Sequence, residues 1–164
     1  MTADSSLDLR MVRFVPDTAR DDYDALPEEV RIEADFATTE LQNGRHWDGL
    51  VSLKGKLAGI SEVKIDHDTN TFRVFYVIKF RYCLYIIDAF MKKSKKGKQL
   101  NRMDEARLEK RRGTAEAHYR ANEDYFKQEF ERRRAARIGR DAQRKQAAKP
   151  RTSPRKPSPS RKRP

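Results

Sequence analysis

Two apolar runs, Thr71–Phe80 and Tyr82–Phe90, are separated by a single arginine and followed at once by the lysine-rich segment Lys92–Lys98. Their aromatic and β-branched content at period two reads as an antiparallel strand pair. In the first run Phe72, Val74, Tyr76, Ile78 and Phe80 share one face, while Arg73, Phe75, Val77, Lys79 and Arg81 share the other. The first face is expected to cover helices. The second mixes apolar bodies with cationic tips and reads as a solvated, ligand-facing surface. Lysines leaving a rigid strand pair put positive charge at the rim of a sheet, where it suits a phosphate backbone.

The remaining chain fits around that pair. Arg10–Val15 reads as a short first strand ended by Pro16, and Pro16–Leu26 as a helix with acids in its first turns. Pro27 opens a second helix in which Val30, Ala34, Ala37 and Leu41 form one apolar stripe, with Gly44 as its stop. Ile60–Ile65 is a further strand, and His67–Asn70 is a turn cluster joining it to the apolar pair. From Asn101 a helix is expected, carrying Leu108, Ala115, Ala117 and Tyr119, with Gly113 as a weak point. Helical character extends through Tyr125, Phe126 and Phe130 into the run Arg132–Arg137. The last acid is Asp141, and the proline-punctuated basic segment beyond it reads as disordered.

With 164 residues, 37% of them hydrophobic, the chain can build one modest core. Its formal charge of +12 points to a polyanionic partner, either nucleic acid or an anionic membrane surface. The charge is unevenly spread. Residues 1–50 hold 5 Lys or Arg against 12 Asp or Glu, residues 51–100 hold 11 against 4, and residues 101–164 hold 21 against 9. A single cysteine, Cys83, excludes an intrachain disulfide and reads as a buried core residue. No apolar run approaches the roughly 20 residues of a membrane span, and the first residues lack an apolar signal core, so a cytoplasmic location is expected.

The order of elements, together with Leu53-Lys-Gly55, Thr71-Phe-Arg-Val-Phe-Tyr76 and Asp88-Ala-Phe-Met-Lys-Lys-Ser-Lys-Lys-Gly97, resembles the RelE/HigB toxin superfamily, in particular its phage-derived HigB-like branch. The resemblance spans Met11 to Tyr119, and its most specific part is the segment that begins at Ala89-Phe90. It implies an α+β, RelE-like fold in which an N-terminal strand and helix hairpin pack on a small antiparallel sheet. It also implies an endoribonuclease that cuts mRNA in the ribosomal A site and is held inactive by an antitoxin, often of helix-turn-helix type. Related chains often carry a histidine before Ala-Phe. Here Asp88 stands there, which offers a carboxylate base or weakens activity. By motif match, Lys54, Arg73, Lys92, Lys93 and Lys95 would orient and stabilise the scissile phosphate, with Asp88 beside them. Lys56, Lys79, Arg81, Lys96 and Lys98 would complete the RNA-binding surface.

The chemistry asks for such groups. Cleavage by the adjacent 2′-hydroxyl needs in-line geometry, a base, a proton for the leaving oxygen and preorganised cations around the phosphorane. Arg73 can grip two phosphate oxygens through its planar fork, and Phe75, Tyr76 or Tyr82 could stack a base. Plainer roles compete. A lysine cluster is commonly a solvated loop, and a strand arginine commonly pairs across strands, here with Glu62 or Asp88. His67 reads as a turn residue, and His46 and His118 have no companions for a metal site. No metal or organic cofactor is indicated.

The expected organisation is therefore a flexible N-terminus over residues 1–9, a toxin-like domain over 10–120, a basic helical extension over 121–141 and a disordered basic tail over 142–164. The rival to a ribosome-dependent nuclease is a phage-derived protein that binds nucleic acid or the ribosome through its basic arm without cutting.

Overall fold

In the computed structural model, which describes residues 9–92 and 100–148, an α+β fold is built on a mixed sheet of five strands. Strand β1 (Met11–Phe14) leads into α1 (Asp17–Asp24) and α2 (Glu28–Gln42). Then come β2 (Leu50–Ser52), a 3-10 turn (Gly55–Leu57), β3 (Ser61–His67), β4 (Asn70–Val77), β5 (Cys83–Met91) and the 46-residue α3 (Arg102–Ala147). The sheet order is β1-β5-β4-β3-β2. The meander is antiparallel as expected, but β1 adds beside β5 in parallel, pairing Met11 with Cys83, so the sheet is mixed.

Local chemistry sets the element ends. Pro16 and Pro27 precede α1 and α2 with extended ψ, and Asp17, Glu28 and Glu29 place negative charge in the first turns. The β3–β4 hairpin turns on Asp68 and Thr69, both at positive φ (47° and 64°), between the paired His67 and Asn70. That is the primed geometry that a two-residue hairpin loop needs.

The sheet separates two cores. On one side Phe72, Val74 and Tyr76 meet Tyr23, Leu26, Val30, Ala34, Ala37 and Leu41 of the helix hairpin, as the alternation predicts. The Tyr76 hydroxyl lies 3.0 Å from Thr38 Oγ1, which donates to the Ala34 carbonyl at 2.7 Å. Burial raises the Tyr76 hydroxyl well above the ordinary tyrosine range despite this bond.

The other side corrects the sequence reading. The face of Phe75 and Val77 is closed by α3, whose Leu108, Ala115, Tyr119 and Phe126 complete a second core with Tyr85 and Ile87. Phe75 and Tyr76 are fully buried, so neither can stack an RNA base. Tyr82 meets Phe130 edge-on at 5.3 Å. Helix α3 also runs unbroken through Gly113 and past residue 141 to Ala147, because Ala142–Ala147 are all good helix formers and the first proline comes at 150. Among the described residues, no helix is long and apolar enough to cross a membrane.

Candidate functional site

A cleft of about 850 Å³ opens where the C-terminal end of β5 meets the first turns of α3. Its floor holds Arg73, Asp88 and Phe90, its lip Lys92, and one wall Asp104, Arg107 and Arg111, with Asp22 of α1 beside Arg111.

A bulge in β5 creates this arrangement. Across the β4–β5 ladder Phe75 pairs with Asp88 but Tyr76 pairs with Ile86, leaving Ile87 without a counterpart. One extra residue reverses the alternation beyond it. Leu84 and Ile86 face the hairpin core, and strict alternation would send Asp88 there too. Instead Ala89 packs in that core, and Asp88 turns toward α3. The Ile87 carbonyl, set apart from the ladder, accepts from Arg111 Nη1 at 2.9 Å.

Asp88 is almost fully buried and held on both oxygens. Oδ2 accepts from Arg107 Nε at 2.7 Å, while Oδ1 accepts from the Ala89 backbone N–H at 2.9 Å and lies 3.1 Å from Arg111 Nη1. A carboxylate so engaged anchors two guanidinium groups. Arg107 also reaches Asp104 at 3.0 Å and lies over the Phe90 ring at 5.1 Å. Partial burial works against the Arg107 charge, but the bonds and charges of Asp88 and Asp104 outweigh it and hold its pKa above the ordinary arginine value. Arg111 contacts Asp22 at 3.5 Å and donates to Thr18 Oγ1 at 3.2 Å, tying α1 to α3.

The expected site residues divide. Arg73, Asp88 and Lys92 line this one cleft. Arg73 is only 2% exposed and bonds Glu62 Oε2 at 3.1 Å, and Lys64 lies 3.3 Å from the other Glu62 oxygen. Cross-strand pairing, the plainer sequence alternative, is thus what Arg73 does, and its guanidinium is not an open phosphate fork. Lys54 lies outside the cleft lining, exposed at the start of the 3-10 turn beside exposed Lys56. Arg112 of α3 secures that turn, donating to the carbonyls of Lys56 at 2.8 Å and Ala58 at 2.6 Å. Lys79 Nζ bonds Glu116 at 2.6 Å and Arg81 lies over the Tyr82 ring at 5.5 Å, both apart from the cleft. Lys93, Lys95, Lys96 and Lys98 lie outside the described residues.

Sequence reading passed over Arg107 and Arg111. Their signal was an arginine pair spaced by four beside Leu108, which puts both on one flank of the buried stripe. Of the histidines, His118 joins the second core, its Nδ1 lying 2.8 Å from the Tyr85 hydroxyl. His67 stays in its turn, 3.2 Å from Asp68.

Comparison with known proteins places this geometry. A family model described as phage derived protein Gp49-like (DUF891) matches residues 21–112, more than half of the chain, and takes in the cleft from Asp22 to Arg111. No curated protein and no solved structure matches the chain. The five-stranded mixed sheet under a helix hairpin is consistent with a RelE-like fold, and such families work with an antitoxin partner. The chain belongs to the Gp49-like family of phage-derived proteins, a RelE/HigB-like toxin family of toxin–antitoxin systems.

Proposed function

We propose that this chain is the toxin of a type II toxin–antitoxin system and an endoribonuclease that cuts mRNA on translating ribosomes. The observation that carries the reading is the single cleft lined by Arg73, Asp88 and Lys92, to which α3 adds Arg107 and Arg111. In the proposed reaction the 2′-hydroxyl attacks the adjacent phosphorus, its proton passes to a base, and the 5′-oxygen leaves with a proton. The products are a 2′,3′-cyclic phosphate and a 5′-hydroxyl.

Lys92 and Arg107 face the phosphate and offset the charge of the phosphorane, the term that dominates such catalysis. Asp88 acts as a positioning residue through its bonds to Arg107 and Arg111. Arg73 supports the floor through Glu62. Lys93 and Lys95 remain candidates on sequence grounds for the charge or proton relay.

One observation favours the non-catalytic alternative, a ribosome or nucleic-acid binder. Arg73, Arg107 and Arg111 each already hold a carboxylate, so a phosphate must compete with Glu62, Asp88 and Asp104.

The test is primer extension on a defined mRNA in a bacterial cell-free translation system. Wild type should cut the message only while it is being translated. Lys92→Ala and Arg107→Ala, folded by circular dichroism, should lose about 100-fold in rate. Asp88→Asn should lower the rate without removing the acid limb of the pH–rate profile, because a positioning residue does not set that limb. Intact mRNA beside ribosome-bound wild-type protein would reject the nuclease reading in favour of the binder.

A further inference from the structure

Helix α3 changes its chemistry along one face. At about 100° per residue, Leu108, Ala115, Tyr119 and Phe126 fall within an arc of about 60°, the face that α3 buries on the sheet. Continuing at the same spacing, Arg133, Arg137, Arg140 and Arg144 occupy that same arc. The stripe that begins as core ends as arginine.

The switch comes where the helix leaves the body. Phe126 is its last buried residue, Phe130 rests against Tyr82, and Arg133 Nη1 reaches the Arg10 carbonyl at 3.4 Å. Residues 138–148 are exposed throughout. Residues 131–148 carry 7 Lys or Arg against Glu131 and Asp141, and only Asp141 flanks the stripe. From Arg133 to Arg144 the ladder spans roughly 16 Å at 1.5 Å per residue. Arg81 stands on Tyr82 at the point of exit and extends the positive track toward the sheet. The family match ends at residue 112, and the ladder lies beyond it.

We infer that the Arg133–Arg144 face of α3 is a phosphate-tracking arm for folded RNA, which holds the protein on the ribosome while the cleft faces the message. Charge complementarity selects a polyanion. A row of arginine forks on one side of a rigid helix matches a backbone of phosphates, since each fork takes two oxygens of one phosphate. Continuity with the buried stripe fixes the direction in which the arm presents them. The choice of RNA over DNA rests on the proposed ribosomal reaction.

The experiment compares two triple variants of the full chain with equal net charge. Arg137→Gln/Arg140→Gln/Arg144→Gln removes the stripe, and Arg132→Gln/Arg134→Gln/Lys145→Gln removes three charges from the other faces. Probes are purified ribosomes, a short RNA hairpin and a DNA duplex of matching sequence, titrated over a range of salt. The stripe variant should bind ribosomes and hairpin at least 10-fold more weakly, and its log–log salt slope should fall by about two to three. The off-stripe variant should change less than 3-fold. Restoring Arg137→Lys/Arg140→Lys/Arg144→Lys should return most of the salt slope, which separates lost charge from lost helix. Equal losses in both triples, or equal or tighter binding of the DNA duplex with the same stripe dependence, would overturn the inference. Scoring mRNA cleavage in parallel separates the two readings. Stripe-dependent ribosome binding without cleavage sinks only the nuclease, and cleavage with stripe-independent binding sinks only the arm.

Discussion

Arg73 is where a structural role and a catalytic one would be confused, and the coordinates allow the two to be separated. Its side chain is 2% exposed and its partner Glu62 is 3% exposed, 3.1 Å apart. Arg73→Met leaves the Glu62 carboxylate buried with Lys64, 3.3 Å away and 35% exposed, as its remaining cation among the described residues. Breaking a buried ion pair from one side costs about 3–5 kcal/mol, and the surviving Lys64 contact places this case near 3 kcal/mol. That is about two powers of ten in the folding equilibrium. With a urea slope of about 2 kcal/mol per molar, the midpoint should fall by roughly 1.5 M. The only tryptophan, Trp47, packs at the edge of the hairpin core and reports the transition by its fluorescence. The double variant Arg73→Met/Glu62→Leu removes both charges, and a well-packed apolar replacement is often neutral or better. It should recover to within about 1 kcal/mol of wild type. A single variant costing less than about 1 kcal/mol, or a double no more stable than the single, would refute the buried-pair argument. The double variant then answers the functional question. If it cuts mRNA normally, Arg73 holds the cleft floor; if it folds and does not cut, the guanidinium itself is needed.

Three further outcomes follow from the same structure. Phe126 is 1% exposed among the rings of Tyr85, His118 and Tyr119, so Phe126→Ala should cost about 3–5 kcal/mol in urea unfolding. A cost below about 1 kcal/mol would mean that α3 is not docked as described. Burial pushes the Cys83 thiol from 9.0 up to about 12, so iodoacetamide at pH 8 should label native protein far more slowly than urea-unfolded protein. Because the folded state keeps that proton longer, this stabilisation is whole below pH 9 and falls as pH rises toward 12; Cys83→Ala should flatten the decline, and an unchanged decline would assign it to other groups. Deleting residues 131–164 removes only part of α3 beyond its last buried side chain, so the melting temperature should hold within a few degrees while ribosome binding drops. A collapse of the melting transition would show that the distal helix stabilises the body.

Much of the fold was legible because local chemistry and period agreed. Pro16 and Pro27 set the starts of two helices, the Val30–Leu41 stripe gave the buried face of the second, and the turn around Asp68 joined two alternating strands. Strand β2 escaped because its three residues are half or fully exposed and show no period to detect. The larger error concerned what lies over the second face of β4. Alternation tells which residues share a face but not what covers it, and Phe75 and Val77 proved to be the floor of a core closed by α3. The β5 bulge was equally invisible, since Ile87 carries no glycine or proline to mark it. Arg73 looked like a phosphate ligand because a lone strand arginine is ambiguous until the register sets it opposite Lys64, with Glu62 on the diagonal within reach of its guanidinium.

These corrections move the candidate chemistry from the face of the sheet to its end. With α3 lying across the strands, the candidate groups that share one cleft are those where β5 runs out and α3 begins. The bulge makes that end polar by turning Asp88 out of the hairpin core, and Asp88 in turn fixes Arg107 and Arg111 on the helix. The same helix then continues past the opposite end of the strands, by Arg10 and Tyr82, as the arginine ladder. One rigid element therefore carries the cleft wall at its start and the proposed arm at its end, roughly 40 Å or more apart along the axis by helical rise. A partner that engages both must be large and continuous in negative charge. A translating ribosome meets that requirement, and a short free oligonucleotide does not.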